Sequence, residues 1–301
     1  MKILINDGIA PEGEKILLDA GLEVHNIKIP QEELVNKISE YDAIIVRSAT
    51  QVRKDVIDAG NLKVIARSGV GLDNIDVEYA KSKGIKVVNT PGASSISVAE
   101  LAIGHLFAIN RFLNVSTTMM KDGKWPKKEF AGGREATGKT MGIIGLGAIG
   151  KETAFRAKGL LMNVIAYDPF VTENNLGVKM VSMDELLSSS DVISLHIPFI
   201  KEKGATLSTS EFAKMKDGVI ILNCARGGVV DEKALLSALN SGKVAAAGID
   251  VFENEPVTEN QAELIAHPNV SITPHIGAST DEAQLRVSTE IAENVINALK
   301  N

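Results

Sequence analysis

Short apolar runs alternate with amphipathic runs along the first ninety residues. The apolar runs predict strands at Ile3–Ile5, Leu22–Ile27, Ala43–Val46, Val64–Ala66 and Lys86–Val88. The amphipathic runs predict helices at Pro11–Ala20, Gln31–Ser39, Lys54–Ala59 and Val77–Lys83. Alternation of this kind is typical of a parallel sheet with helices on both faces. This part of the chain lacks a glycine-rich phosphate loop, so its pattern alone does not indicate nucleotide binding.

The longest helical pattern runs from Ser95 to about Met120, long enough to connect two domains, and a polar loop is predicted from Lys121 to Lys139. The strand pattern then resumes at Met141–Ile144, Val164–Tyr167, Lys179–Val181, Val192–Leu195, Val219–Leu222, Ala246–Ile249 and Val270–Ile272. Helices are predicted at Lys151–Lys158, Met183–Leu187, Ser210–Met215, Asp231–Asn240 and Thr280–Leu299. The chain therefore reads as two α/β domains.

A glycine motif, Gly145-x-Gly147-x-x-Gly150, follows the strand at Met141–Ile144 and opens a helix. The first glycine allows a tight turn, the second lets the backbone approach a pyrophosphate, and the third lets helix and strand pack closely. Three glycines alone would also fit an ordinary loop. Asp168, however, ends the next strand, where a carboxylate can accept hydrogen bonds from an adenosine ribose. Together they predict dinucleotide binding, and Asp168 favours NAD over NADP because it repels a 2′-phosphate.

Composition and charge narrow the class of protein. The 301 residues suit two domains of ordinary size, and 45% hydrophobic with 23% charged residues is typical of a globular protein. A net charge of −6 argues against a nucleic-acid binder. Cys224 is the single cysteine, which excludes an internal disulfide and fits a reducing compartment. With no metal-ligand spacing and no apolar run near the ~18 residues of a membrane span, we expect a cytoplasmic protein without a metal.

Three predicted strands of the second half end in residues that could carry chemistry. Arg226 stands beside two glycines and suits a carboxylate, although it could instead pair with Asp231. Glu253 and Glu255 follow the next strand and could also be solvated loop acids. His275 follows the last strand, where it could catalyse a reaction or only make a structural hydrogen bond.

Taken together, these three residue types form a consistent dehydrogenase site beside a nicotinamide. A histidine can take a proton from a hydroxyl as a hydride leaves the same carbon. A carboxylate hydrogen-bonded to that imidazole fixes its tautomer. An arginine can hold the substrate carboxylate and steady charge on the carbonyl oxygen. The combination predicts hydride transfer between NAD and a 2-hydroxy acid.

Seven motifs along the chain together point to a known family. They are Val70-Gly71-Leu72-Asp73-Asn74-Ile75-Asp76, Asn89-Thr90-Pro91-Gly92, Ser97-Val98-Ala99-Glu100, Gly145-Leu146-Gly147-Ala148-Ile149-Gly150, Asn223 to Gly228, Asp250 to Pro256, and Thr273 to Gly277. With these motifs in this order, the whole chain resembles the D-isomer-specific 2-hydroxyacid dehydrogenases, most closely their short phosphoglycerate dehydrogenase branch. The resemblance implies a Rossmann NAD-binding domain, residues 95–281, inserted in a flavodoxin-like substrate domain of residues 1–94 plus 282–301.

The resemblance also implies site residues. The catalytic set would be Arg226, Glu255 and His275, with Glu255 chosen because the family's acid immediately precedes a proline. Cofactor contacts are implied at Gly145, Gly147, Ala148, Ile149, Gly150, Asp168, His196, Ile197, Pro198, Cys224, Ala225, Arg226, Asp250, His275, Gly277 and Ala278. Substrate contacts are implied at Arg47, Ser48, Val70, Gly71, Arg226 and His275.

The implied activity is NAD-dependent oxidation of D-3-phosphoglycerate in the phosphorylated route to serine. Arg47 with Ser48 suits a phosphate, but Arg47 could equally serve a plain carboxylate, so glycolate, lactate or a branched 2-hydroxy acid stays open. An NAD(H)-sensing binding protein is the alternative from another class. The resemblance implies a homodimer through the cofactor domain, and Phe112, Met119 and Met120 are expected to contribute to its surface.

Overall fold

The computed structural model describes residues 1–300 as two compact units, each built on its own parallel sheet. The first unit comprises Met1–Ser95 together with the segment that starts at Ala278. The second unit comprises Ile96–Gly277.

The sheet of the first unit has five parallel strands in the order β2-β1-β3-β4-β5. Its strands are β1 (Lys2–Ile5), β2 (Glu23–Asn26), β3 (Ala43–Val46), β4 (Val64–Arg67) and β5 (Lys86–Asn89). Its helices are α1 (Pro11–Asp19), α2 (Gln31–Lys37), α3 (Lys54–Ala59), α4 (Val77–Ser82) and α12 (Asp281–Lys300). This strand order is that of flavodoxin-like sheets.

Apolar side chains cover both faces of this first sheet. On one face, Ile3 and Ile5 of β1 pack with Leu17 of α1 and Ile291 of α12. On the other face, Ile44 packs with side chains from α2 and α3. Burial on both faces explains why these strands read as continuous apolar runs in the sequence.

The sheet of the second unit has seven parallel strands in the order β12-β11-β10-β9-β6-β7-β8. Its strands are β6 (Thr140–Ile144), β7 (Asn163–Tyr167), β8 (Lys179–Met180), β9 (Val192–Leu195), β10 (Val219–Asn223), β11 (Val244–Ile249) and β12 (Val270–Ile272). Its helices are α5 (Ser95–Asn110), α6 (Leu113–Lys121), α7 (Ala148–Gly159), α8 (Met183–Ser189), α9 (Thr209–Lys214), α10 (Glu232–Asn240) and α11 (Ala262–Ala266). The strand order reverses between β6 and β9, and such switch points are where doubly wound sheets bind ligands.

The predicted fold class, two doubly wound parallel α/β sheets, is confirmed. Each predicted strand is present, with its ends within two residues of the predicted ones. Two details of the helix predictions were wrong. Helix α7 begins at Ala148, inside the glycine motif, and α11 was missed because it is only five residues long.

The single helix predicted from Ser95 to about Met120 was also wrong. Helix α5 ends at Asn110, α6 starts at Leu113, and their axes differ by 62°. Phe112 lies between them with φ of 55°, in the left-handed region that interrupts a right-handed helix. Its ring contacts that of Phe130, with 5.4 Å between the centroids. Within residues 1–300 no single helix is long and apolar enough to span a membrane, although α5 and α6 taken together as a bent pair would be.

The C-terminus of α7 offers a test of the backbone geometry. Leu161 has φ of 59° and is 71% exposed, and the amides of Leu161 and Met162 bond to the carbonyls of Lys158 and Ala157 in a Schellman pattern. Leu161→Gly should raise the free energy of unfolding by about 0.5–1 kcal/mol, because glycine removes the left-handed cost while little packing is lost. Urea titration measures it. Leu161→Ala is the control, since its Cβ keeps the cost, and equal stability of the two variants would contradict the prediction.

Candidate active site

Three neighbouring strands of the second unit end at the same edge of the sheet. The last residues of β10, β11 and β12 are register partners, since Asn223 pairs with Ile249 and Ile249 pairs with Ile272. The segments that follow these strands carry Arg226, Glu255 and His275. The parallel sheet therefore brings together residues that lie up to fifty positions apart in sequence.

The shortest contact in this group joins the imidazole of His275 to the carboxylate of Glu255. Nδ1 of His275 lies 2.5 Å from Oε2 of Glu255, and the other oxygen accepts a hydrogen bond from the amide of Phe252 at 3.0 Å. An ionised carboxylate can only accept, so Nδ1 carries the proton and Nε2 is the basic nitrogen. The His275 side chain is 45% exposed, so Nε2 belongs to an accessible ring.

Glu255 is held in its ionised form. Burial favours the neutral acid, but the hydrogen bonds from His275 and the Phe252 amide, together with the nearby charges of His275 and Arg226, outweigh it and lower the pKa of Glu255. The negative charge thus sits where it can stabilise a protonated imidazole.

Asp250 fixes the loop that carries His275. Its side chain is buried, and its oxygens accept the amides of Ile276 and Gly277, each at 2.8 Å, and the hydroxyl of Thr273 at 2.5 Å. Its carbonyl accepts the amide of His275 at 2.8 Å. His275 itself has φ of 53°, and these bonds hold that left-handed conformation.

The Arg226 loop packs directly against the segment that leads to Glu255. A Cβ on Gly227 would lie 1.8 Å from the carbonyl oxygen of Phe252, so only glycine permits this approach. The amide side chain of Asn223 braces the turn by donating to the carbonyl of Arg226 at 3.0 Å and accepting from the amide of Ala225 at 3.1 Å. Arg226 therefore lies next to the acid–base pair on a rigid turn.

Asp231 and Glu253 are the two acids that the sequence offered as alternatives near Arg226 and His275. Asp231, the acid considered as a partner of Arg226, accepts the amide of Ala234 at 2.9 Å and caps α10. Of the two loop glutamates, Glu255 is the one that contacts His275.

The glycine motif forms a cradle at the switch point between β6 and β9. Gly145 has φ of 92°, and a Cβ there would lie 2.6 Å from the carbonyl oxygen of His196. A Cβ on Gly150 would lie 2.0 Å from the carbonyl oxygen of Gly145, whereas a Cβ on Gly147 would meet no atom of residues 1–300 within 4 Å apart from the glycine and its two chain neighbours. The loop therefore has no room for a side chain at Gly145 or Gly150, but it has free space at Gly147. The N-terminus of α7 follows it directly. These features fit a bound pyrophosphate.

Asp168 lies at the same edge, because Ile144 and Tyr167 are register partners. Its oxygens accept the amides of Leu146 and Phe170, each at 2.8 Å. A carboxylate offers about four lone-pair positions, so both oxygens keep capacity for ribose hydroxyls. The predicted cofactor carboxylate is therefore bound to the glycine loop itself.

Two further predicted cofactor residues are neutral in the structure. His196 Nε2 lies 2.9 Å from Ser194 Oγ, Nδ1 is buried without a hydrogen-bond partner among residues 1–300, and burial lowers the pKa of His196 to about 3. Burial, helped by the charge of Asp250, raises the pKa of the Cys224 thiol, so it stays protonated.

The remaining predicted cofactor residues lie close to these groups along the chain. Ala148 and Ile149 open α7, Ile197 and Pro198 follow His196, Ala225 follows Cys224, and Gly277 is bound by Asp250, whereas Ala278 begins the last segment of the first unit.

In the first unit, the predicted substrate residues follow β3 and β4. Arg47 and Ser48 line a cavity of about 500 Å³ that is also lined by Asp7 and Lys28. Lys28 Nζ lies 2.5 Å from Asp7 Oδ1, and the Arg47 amide donates to Asp7 Oδ2 at 2.7 Å.

Burial works against the charge on Asp7, but the hydrogen bonds from Lys28, Thr50 and Arg47 outweigh it and lower the pKa of Asp7. This ion pair was not predicted, because its only signal in the sequence is an acid and a lysine after two predicted strands. Val70 and Gly71 follow β4, where the Asn89 side chain donates to the Val70 carbonyl at 2.6 Å.

The chain matches known proteins along its whole length. The family model described as D-isomer specific 2-hydroxyacid dehydrogenase, NAD binding domain, matches residues 103–277. A hydroxypyruvate reductase of Thermotoga maritima is 50% identical over 301 residues, covering 99% of this chain and 98% of that protein. A D-3-phosphoglycerate dehydrogenase of Archaeoglobus fulgidus is 48% identical over 305 residues, but the 100% of this chain that aligns spans only 58% of that protein. The crystal structure of a glyoxylate reductase from Paecilomyes thermophila superposes with a TM-score of 0.91 at 34% identity, over 100% of this chain and 96% of that one.

The depressed pKa of His196 predicts a pH dependence of stability. Below its ordinary pKa of 6.5 the unfolded chain gains a proton that the folded protein takes up only near pH 3. The free energy of unfolding should therefore fall with pH in this window, by up to about 1.4 kcal/mol per pH unit from this group. When the pH is lowered from 7.5 to 5, the free energy of unfolding of His196→Asn and of His196→Gln should fall by about 1–2 kcal/mol less than that of the unaltered protein. Urea titrations at each pH measure this difference. Parallel pH curves for all three proteins would contradict the assignment.

Proposed function

Because this chain belongs to the D-isomer-specific 2-hydroxyacid dehydrogenases, an NAD-dependent oxidoreductase family, we propose that it oxidises D-3-phosphoglycerate at C2 with Arg226, Glu255 and His275 as its catalytic residues. The observation that carries this proposal is the 2.5 Å contact between Nδ1 of His275 and the carboxylate of Glu255, on loops that adjoin the Arg226 turn.

The three side chains divide the work. Nε2 of His275 takes the proton of the 2-hydroxyl in oxidation and returns it in reduction. Glu255, ionised and bonded to Nδ1, keeps the imidazole in the required tautomer and stabilises its positive form. Arg226 has the planar fork that binds a carboxylate with two parallel hydrogen bonds.

The second unit supplies the cofactor site in this proposal. NAD would supply the hydride acceptor for C2 when it is bound. Gly145 to Gly150 and the N-terminus of α7 would hold its pyrophosphate, and Asp168 would bind the adenosine ribose. His275 and Asp168 both follow strands of one parallel sheet, so the proton acceptor and the cofactor share one edge.

In the first unit, Arg47 and Ser48 are the residues that we propose for the substrate. The cavity beside Arg47 and Ser48 is also lined by Lys28, and two cations close to one hydroxyl suit a phosphate. Asp7 neutralises the charge of Lys28. This pairing instead favours a substrate group that is singly charged or smaller than a phosphate. Hydroxypyruvate, named for the Thermotoga relative, and glyoxylate, named for the Paecilomyes structure, are therefore the alternative substrates.

We further propose a homodimer in the cytoplasm that forms through the second unit. Helix α6 has no buried residue among its nine, and it exposes Leu113, Val115 and Met120. Trp125 in the following loop is 77% exposed. A second copy of this chain would cover these apolar groups.

Sedimentation at micromolar concentration should show a species of twice 32.0 kDa. The double variant Val115→Glu, Trp125→Ala should sediment as the monomer. A purely monomeric unaltered protein would contradict this proposal.

A substrate panel tests the proposed activity. For NADH formation, kcat/KM should be highest with D-3-phosphoglycerate as the substrate. It should be lower with D-glycerate, glycolate or D-lactate, and also lower when NADP replaces NAD. Arg47→Gln should reduce kcat/KM for D-3-phosphoglycerate by about tenfold more than for D-glycerate, because it removes a charged hydrogen bond to the phosphate. Lys28→Gln is the matched control, because it removes the cation that is already paired with Asp7. A preference for D-glycerate over its phosphate would contradict the substrate, and turnover of none of these acids would contradict the activity.

A further inference from the structure

A histidine in α5 is buried beneath the catalytic loop. His105 is 3% exposed and packs over β11, where a Cβ on Gly248 would lie 2.6 Å from the Cβ of His105. Glycine at position 248 therefore allows α5 to approach β11 closely at His105. The strand leads directly into Asp250, the residue that fixes the His275 loop.

Both ring nitrogens of His105 have hydrogen-bond partners on the chain segment around β12. Nδ1 lies 2.9 Å from Ser271 Oγ, and Nε2 lies 3.1 Å from Thr273 Oγ1. Ser271 also accepts the side-chain amide of Asn114 at 2.9 Å, and Thr273 donates to Asp250 at 2.5 Å. Five side chains thus form one continuous series from α6 to the carboxylate of Asp250.

The direction of each hydrogen bond in this series follows from proton counting. An ionised carboxylate only accepts, so the single hydroxyl proton of Thr273 points to Asp250. Thr273 must then accept from His105, which places the imidazole proton on Nε2. Nδ1 of His105 must accept, so the hydroxyl proton of Ser271 points to His105. The Asn114 amide starts the series, and every donor points toward Asp250.

The charge state of His105 agrees with this arrangement. Burial lowers the pKa of His105, and the charge of Asp250 reverses only part of that effect. A neutral ring has one N–H and one acceptor nitrogen, as the series requires.

We propose that His105, as the neutral tautomer protonated on Nε2, is a positioning residue for the proposed catalytic His275, because its donor bond to Thr273 fixes Asp250 and thereby the backbone at His275, Ile276 and Gly277. It touches neither substrate nor reacting atoms. Its effect passes through the oxygen of Asp250 that accepts both Thr273 and the amide of Ile276. This inference rests on the role proposed for His275.

Two matched substitutions separate positioning from packing. Gln at position 105 places its amide N–H near the position of Nε2, whereas Asn reaches only the position of Nδ1. His105→Gln should therefore keep kcat within about threefold of the unaltered protein, while His105→Asn should lower kcat by about tenfold or more through a displaced loop. A role in packing alone predicts equal loss for both variants, and equal kcat values would overturn the proposal.

A second pair tests the same bond if position 105 does not tolerate change. Thr273→Ser keeps the hydroxyl and should keep kcat, whereas Thr273→Val keeps the shape without the hydroxyl and should reproduce the loss of His105→Asn. Equal activity of the Ser and Val variants would also overturn the proposal.

The tautomer can be measured without any assay of activity. Nitrogen-15 spectra of the histidine rings at neutral pH should show His105 protonated on Nε2 alone, and amide exchange at Ile276 and Gly277 should be faster in His105→Asn than in His105→Gln. A His105 ring protonated on Nδ1, or equal exchange in the two variants, would overturn the proposal. If the unaltered protein oxidised no 2-hydroxy acid, the proposed function would fail, and these spectra and exchange rates would still decide whether His105 positions the loop.

Discussion

The carboxylate of Asp250 is the interaction on which the geometry of the candidate site depends. Burying a carboxylate is costly unless donors surround it. Here the donors are the hydroxyl of Thr273 and the amides of Ile276 and Gly277, so the loop after β12 must wrap around the buried charge. His275 lies in this loop with a left-handed backbone conformation, and its imidazole contacts Glu255 as a result.

The parallel sheet of the second unit explains why one edge can serve two purposes. Its strands all end on the same side, so polar groups that follow them collect there without long connections. Near the switch point, the ends of β6, β7 and β9 carry the glycine cradle, Asp168 and His196. Farther along the same edge, the ends of β10, β11 and β12 carry Arg226, Asp250 and His275. One sheet thus carries both the glycine cradle and the candidate acid–base pair.

Much of this arrangement could be predicted from the sequence. Strands buried on both faces are continuous apolar runs, and the polar residues that follow them are visible as such. The glycine cradle was also predictable, because its close approaches at Gly145 and Gly150 exclude any side chain. The choice of Glu255 over Glu253 required the resemblance to a family, since both acids lie in one irregular loop whose path the sequence does not specify.

Other features had no local signal. The break at Phe112 depends on a left-handed backbone at a residue that rarely adopts one, so the apolar pattern of α5 and α6 read as a single helix. His105 occupies an apolar helix face, and its partners Ser271 and Thr273 lie 166 and 168 residues away. The pair of Asp7 and Lys28 is likewise formed by tertiary structure, as its members follow different strands.

His275, oriented by Glu255, is the residue that we propose to carry the proton during hydride transfer. The most direct measurement is the kcat of His275→Ala for NADH formation, compared with NADH affinity from fluorescence titration. We expect kcat to fall by about 100-fold or more, while the dissociation constant for NADH stays within about threefold because the glycine cradle and Asp168 are intact. A variant that turns over at a near-normal rate would contradict it.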